Sequence, residues 1–270
     1  MISAHCLQRI LLAGFFCWFC EKVLVKHGNT HIGTSGWHYK HWEGNFYPEG
    51  VKGAKQFNHY IKSFDTVEIN NSFYRLPSVK TMKQWAMAAP GDFIFAIKAS
   101  RYITHLKKLD VDRESISLLL SRVDLLGEKA GPILFQLPPG WNPDMWRLEN
   151  FIEKLPAHYR YSFEFRNHNW YQDEVYHLLQ SRKMAFCIYE LAGHLSPEIV
   201  TADFVYIRLH GPGKKYEGSY HGNTLNKWAR RCNEWTQNGK DVYIYFDNDQ
   251  AGYAAQNARD LKTVIAGSSN

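Results

Sequence analysis

Residues 159–170 read Tyr-Arg-Tyr-Ser-Phe-Glu-Phe-Arg-Asn-His-Asn-Trp. Tyr161, Phe163 and Phe165 fall on one face, and Ser162, Glu164 and Arg166 on the other. That period of two is the side-chain repeat of a β-strand. Taken alone, it describes a strand with one face in water. The rest of the chain argues for a different setting, because strand-like segments alternate with helical ones. Such alternation builds a parallel sheet covered by its own helices, and both faces of its strands are normally apolar. A carboxylate and a guanidinium two residues apart at the end of such a strand are costly unless paired or used. The stretch therefore implies a fold and marks a site within it.

On either side of it, strand-like segments occupy 31–37, 66–74, 93–100, 131–139, 184–191, 204–211 and 242–249. Helical patterning occupies 53–64, 78–88, 111–128, 143–155, 171–181, 223–238 and 252–265. In the third helix Ile116, Leu119, Leu120, Val123 and Leu126 recur at helical spacing. Segment 192–202 is too short for a full helix. Eight strands separated by helical segments predict an α/β chain, a single-domain (β/α)8 TIM barrel, whose usual length is ~250 residues. A doubly wound open sheet is the competing arrangement, but no GxGxxG follows the first strand.

With 45% hydrophobic residues, the 270-residue chain can bury a large core. The formal charge of +6 is compatible with anionic substrates or nucleic acid. An ordinary mildly basic enzyme carries the same balance, and no dense basic run is present. Residues 1–28 read differently from the rest. Ile10–Cys20 is an apolar run flanked by Arg9 and by Glu21 and Lys22. It is shorter than the ~20 residues of a membrane-spanning helix and lacks the small-residue cleavage site of a signal peptide. An export signal, a membrane-associating helix and a misassigned start all stay open, with the last preferred and the domain proper expected over 29–270. Cys17 and Cys20 form a CxxC without a second pair, which argues against a zinc site. Cys187 and Cys232, in the body, suit a reducing compartment. A cytoplasmic location is expected, with no stable membrane association of the body; oligomeric state is not legible.

In a TIM barrel, polar residues at the C-terminal strand ends converge on one mouth. Alternation turns Glu68, Asn70, Lys98, Gln136, Glu164, Arg166, Arg208 and His210 inward. In the last strand Asp247 and Asn248 compete for the inward position. Glu68 and Glu164 are the candidate general acid and base, with pKa values moved by burial and by cationic neighbours. Lys98 can form a Schiff base only where desolvation or nearby cations lower its pKa. Arg166 and Arg208 can grip a carboxylate or phosphate, with His210 assisting. Each of these has a structural alternative, a buried ion pair or a satisfied core histidine. A catalytic Glu164 predicts that Glu164→Gln spares stability, and a structural pair predicts a large loss. A divalent metal would need Glu68, Glu164, His210 and Asp247 to converge. No HExxH-like spacing supports one, so a metal is not favoured and any cofactor is unknown. Aromatic residues after the strands, among them Trp37, Tyr74 and Trp170, can stack on sugars or bases or pack on one another as a lid. Arg101, His105, Lys107, Lys214 and Lys215 add positive charge around the same mouth.

Seven blocks carry a resemblance: GTSGWHYKHWEGNFYP at 33–48, FDTVEINNSFYRLP at 64–77, IKASRYITH at 97–105, GPILFQLPP at 131–139, EFRNHNW at 164–170, YIRLHG at 206–211 and YFDND at 245–249. In these the chain resembles the YecE-like family, grouped as domain of unknown function seventy-two, over nearly all of its body. The resemblance implies a TIM barrel and no particular reaction. It places Trp37, Glu68, Asn70, Asn71, Tyr74, Lys98, Gln136, Glu164, Arg166, Trp170, Arg208, His210 and Asn248 within the motifs. Asp247 departs mildly from the pattern, since an asparagine is expected there more often.

The expected activity is that of an enzyme using carboxylate acid/base chemistry on a small anionic or sugar-like substrate at the C-terminal mouth. Substrate-binding roles fall to Arg166, Arg208, Asn70, Gln136, Trp37, Tyr74, Trp170 and Asn248. Two alternatives stand beside it: a nucleic-acid binding or processing barrel, by fold analogy alone, and a non-catalytic scaffold with a structural ion network.

Overall fold

The computed structural model describes residues 27–267; residues 1–26, with the apolar run and its CxxC, lie outside them. Eight strands form the barrel: β1 (Thr30–Thr34), β2 (Thr66–Ile69), β3 (Ile94–Lys98), β4 (Ala130–Leu137), β5 (Tyr161–Phe165), β6 (Ala185–Leu191), β7 (Phe204–Leu209) and β8 (Asp241–Phe246). The α-helices are α1 (Ala54–Tyr60), α2 (Val79–Ala88), α3 (Arg113–Val123), α4 (Met145–Ile152), α5 (Asp173–Ser181), α6 (Gly222–Gln237) and α7 (Tyr253–Gly267). The ladders joining neighbouring barrel strands from β2 through β8 and on to β1 are all parallel. No helix separates β6 from β7. Ala192 and Gly193 take positive φ and turn the chain into His194–Leu195, which pairs antiparallel with the end of β6. Among the described residues, no helix is long and apolar enough to cross a membrane.

The alternation seen in the sequence is the division between the two sides of the barrel wall. Phe163 and Phe165 turn outward, where Phe163 packs against Phe135 and the Phe151 ring of α4. The inner side holds Ala96, Leu134, Ala185, Cys187, Phe204, Tyr206, Tyr243 and Tyr245, a buried cluster separate from the helix-facing core. Small residues on β3 and β6 leave room for the tyrosines of β7 and β8. At the N-terminal end Arg160 donates to Asp241 (2.7 Å) and to the Tyr243 hydroxyl (2.8 Å). A cavity of about 540 Å³ lined by Ile94, Ala130, Arg160 and Tyr243 opens at that end, and the buried charged network collects at the other.

The ring closes between β1 and β2 by other means than a full ladder. One backbone bridge, Ser35 with Glu68, joins them, and the Gly36 N–H donates to the Glu68 carbonyl at 2.8 Å. Below it the Tyr60 hydroxyl, from the end of α1, accepts from the Thr34 N–H and donates to the Thr66 carbonyl, both at 3.0 Å. A side chain thus occupies the place of a ladder bond. Gly33 makes the approach possible, since a Cβ there would lie 2.3 Å from the Thr66 carbonyl oxygen.

Candidate functional site

Arg208 stands at the centre of the polar end of the barrel. The period of two that puts Tyr206 inside puts Arg208 one layer higher, fully buried. Its Nε and Nη2 donate to the two oxygens of Glu68 at 2.9 and 2.7 Å. Nη1 donates to Glu164 Oε2 at 2.9 Å. Nη2 also reaches Ser35 Oγ at 2.9 Å and Asp247 Oδ2 at 3.2 Å. A guanidinium has the fork of donors for such an arrangement and an ammonium does not. Glu68 further accepts from the Tyr206 hydroxyl at 2.8 Å and from the Ser35 hydroxyl. Burial opposes the charge on Arg208, but Glu68, Glu164 and Asp247 together hold its pKa well above the ordinary range.

Glu164 accepts from Arg166 Nε through Oε1 and from Arg208 through Oε2, with the Cys187 thiol 3.8 Å away. Burial would raise its pKa, but Arg166 and then Arg208 pull it well below the usual carboxylate range. Arg166 Nη2 and Arg208 Nη1 both approach His210 Nε2, at 2.8 and 3.3 Å. Flanked by two donors, that nitrogen is an acceptor, so the imidazole is neutral and its proton sits on Nδ1. Nδ1 lies 2.9 Å from Asp247 Oδ2, close but not aligned as a hydrogen bond. Burial, then Arg166 and Arg208, keep the His210 pKa well down. Asp247 is shifted the opposite way: burial raises it despite Arg208, Lys98 and Arg166.

This geometry gives Glu164 a structural duty, and Glu164→Gln is expected to cost roughly 3 kcal/mol. A carboxylate with a depressed folded pKa contributes stability that is present above its unfolded pKa, near 4.5, and is lost as pH falls through the folded value. Urea unfolding at about pH 3 and pH 7 therefore checks the assignment. The loss of stability on acidification is expected to be smaller in the variant, and equal acid sensitivity in both proteins would count against it.

Two cavities open around this network. One, of about 260 Å³, is lined by Gly36, Trp37, His38, Tyr39, Asn70, Asn71 and Tyr74. The other, of about 190 Å³, is lined by Gln136, Pro139, Arg166, His168, Tyr189, Leu191, His194, Lys215 and Tyr216. The Arg166 guanidinium lies over the Tyr189 ring at 4.6 Å. The His168 and His194 rings stack at 4.0 Å, and burial followed by the His168 charge lowers the His194 pKa. Tyr216 covers His210, its ring 5.5 Å from the imidazole and its N–H bonded to the His210 carbonyl. Among the described residues, no group of three or more His, Cys, Asp or Glu side chains is arranged to hold a metal ion.

Of the residues expected at the site, Asn70, Gln136, Trp37, Tyr74 and Arg166 line these cavities. Tyr74 is 81% exposed, and the Asn70 side-chain oxygen is buried without a partner. Glu68, Glu164, Arg208 and His210 have no exposed surface and hold one another. Lys98 is buried, and its amine has no hydrogen-bond or ion-pair partner among the described residues. Two expectations are corrected. Trp170 packs beneath the mouth against Phe165 and Trp141, and its indole N–H donates to the Trp141 carbonyl at 2.8 Å. Asn248 turns toward α7 and donates to Asn257 Oδ1 and to the Gly218 carbonyl. The inward position on β8 belongs to Asp247, in phase with Tyr243 and Tyr245. Sequence reasoning overlooked Ser35, His168 and His194. Ser35 lies in phase with Gly33, one residue past the end of β1.

A family model described as "Protein of unknown function DUF72" matches residues 31–269. The UPF0759 protein YunF of Bacillus subtilis (strain 168) is 25% identical over 272 residues, which span 87% of this chain and 94% of that protein. The UPF0759 protein YecE of Escherichia coli (strain K12) is 27% identical over 139 residues, 51% of this chain and 48% of that one. The crystal structure of a DUF72 family protein from Thermotoga maritima MSB8 superposes with a TM-score of 0.80 at 27% identity, covering 88% of this chain and 99% of that one.

Proposed function

Since the chain belongs to the DUF72 family, whose description carries no reaction, we propose from its site that it is an enzyme acting on a small anionic substrate, carboxylate- or phosphate-bearing, at the C-terminal mouth. One observation carries this reading. The cavity beside the buried network is walled by Arg166 and Lys215, two imidazoles and no carboxylate. The negative charge beneath it is already taken up by Arg208 and Arg166. Such a wall favours an anion, and Arg166 can meet one with donors not used on Glu164. Its 190 Å³ lies below the ~300 Å³ at which drug-sized sites begin, which suits a small ligand.

Acid–base work falls to Asp247 rather than to Glu68 or Glu164. The environment pushes Glu164 down and Asp247 up, and titratable groups driven apart in this way supply the separate roles of a fixed charge and a proton carrier. Glu68 and Glu164 hold the two guanidiniums in place.

A thermal-shift screen with inorganic phosphate, sulfate, short carboxylates and sugar phosphates tests the proposal. A ligand at one hundred times its dissociation constant adds ~2.7 kcal/mol of stability. The shift is expected to shrink in Lys215→Ala, whose loop position leaves the fold intact, and to vanish in Arg166→Ala. A second reading retains one observation: Tyr74, 81% exposed, and Tyr102, 46% exposed with Lys107 over its ring, follow β2 and β3, as on a surface that stacks bases. Oligonucleotide binding that falls steeply with salt would favour it, and no binding at low salt removes it. Silence from every ligand would overturn the enzyme reading in favour of a scaffold.

A further inference from the structure

Lys98 ends β3 with 7% of its surface exposed. Its amine has no hydrogen-bond or ion-pair partner among the described residues. The nearby carboxylates are occupied: Glu68 by Arg208, Tyr206 and Ser35, Glu164 by Arg166 and Arg208, and Asp247 by Arg208 and His210. What the amine does meet is the Phe73 ring, 4.4 Å from its centroid, and the His105 ring stands edge-on to Phe73 at 4.9 Å. A lysine placed to balance charge would be drawn onto an oxygen. This one rests over the Phe73 ring instead, with Arg208, Glu68, Glu164 and Asp247 as its charged neighbours. Its strand lies between β2 and β4, whose ends supply Asn70 to one mouth cavity and Gln136 to the other.

We infer that Lys98 is a nucleophile that forms an imine with the carbonyl carbon of an anionic aldehyde or ketone held at the mouth. The inference rests on the anion-binding reading and names the substrate class within it. Burial, reinforced by Arg208 and opposed by Glu68, lowers the Lys98 pKa to about 8, so a useful fraction of the amine is unprotonated near neutral pH. The nitrogen lone pair forms the C–N bond as the carbonyl π pair moves to oxygen. One amine proton passes to that oxygen and gives the carbinolamine. The second leaves with the hydroxyl as water, and C=N remains. Nothing is oxidised or reduced. Burial, then Lys98 and Arg101, keep the His105 pKa at about 4, so its imidazole is a neutral base beside the same Phe73 ring.

The test is reductive trapping of the full chain with cyanoborohydride, using glyoxylate as the anionic carbonyl and formaldehyde as the neutral one, followed by peptide mass mapping. At neutral pH Lys98 is expected to take up glyoxylate roughly tenfold faster than the surface lysines. Inorganic phosphate is expected to slow that labelling, and Lys98→Arg to abolish it while the other lysines react as before. The wild-type labelling ratio decides the matter even where the variant fails to fold. Lys98 labelled no faster than surface lysines by either probe overturns the inference; if phosphate still raises the melting temperature, the anion site survives without it. Preferential labelling by formaldehyde alone, unaffected by phosphate, overturns the anionic substrate class.

Discussion

Replacing Arg208 by methionine is expected to cost about 3–5 kcal/mol of folding stability, the range measured when one partner of a buried ion pair is removed. Methionine fills much of the vacated volume, so the loss reports charge rather than a cavity. Without the guanidinium, Glu68 loses both of its cationic donors and keeps only Tyr206 and Ser35. Glu164 keeps Arg166 as its one guanidinium, with the Cys187 thiol, and Asp247 keeps His210. Three carboxylates would then share a dry end of the barrel with one guanidinium and Lys98. Urea unfolding measures the loss. The double variant Arg208→Met with Glu68→Gln is expected to be more stable than the sum of the single effects, because it removes a charge together with its counter-charge. A loss below ~1 kcal/mol for Arg208→Met, the scale of an exposed pair, would contradict the burial described here.

Gly33→Ala is expected to cost about 3 kcal/mol, at the upper end of overpacking penalties. The new methyl would meet the Thr66 carbonyl oxygen at 2.3 Å and the Tyr60 hydroxyl at 3.1 Å. The first is backbone and cannot swing aside, so β1 must move off β2. That displacement would also stretch the bonds through Tyr60. Gly91→Ala is the control, since an added Cβ there has no neighbour within 4 Å, and its effect should stay within about 0.5 kcal/mol. Equal stability losses in the two variants would mean that general backbone effects, not the closure of the ring, explain the result.

Periodicity carried much of this structure. The inward set on β2, β3, β4, β5 and β7 was legible because a strand has only two faces, so identifying one apolar face assigns the other. Tyr161, Phe163 and Phe165 in this way place Glu164 and Arg166 on the inner face. The same argument stalled at Val242–Asp249, where nearly every residue suits either face, and only the packing of Tyr243 and Tyr245 settles it for Asp247. Trp170 follows a strand without standing at the mouth, because its indole packs on Phe165 and Trp141 beneath it. What no pattern could convey is pairing. Glu68 and Glu164 lie 96 residues apart, and their convergence on one guanidinium follows from ring closure, which is a property of the whole chain. The structural reading of Glu164 and the partner-free state of Lys98 are two sides of that convergence: Arg208 and Arg166 occupy the carboxylates that would otherwise have neutralised the amine.

The closure has a consequence in time. β1 pairs along its length with β8, so Thr30 meets Val242, and the Asn29 N–H bonds to Asp241 across 212 residues of chain. During synthesis at ~5–20 residues per second, the first strand waits roughly 10–40 s for its ladder partner to be made. Over that interval β2 can pair with β3, and each later strand can dock on its predecessor, but β1 lacks its ladder and leans on β2 through the Ser35–Glu68 bridge, the Gly36 and Tyr60 hydrogen bonds and the His31–Asp65 contact. The latch that finishes the barrel is therefore also part of what holds the nascent chain's first strand in place before the last one arrives.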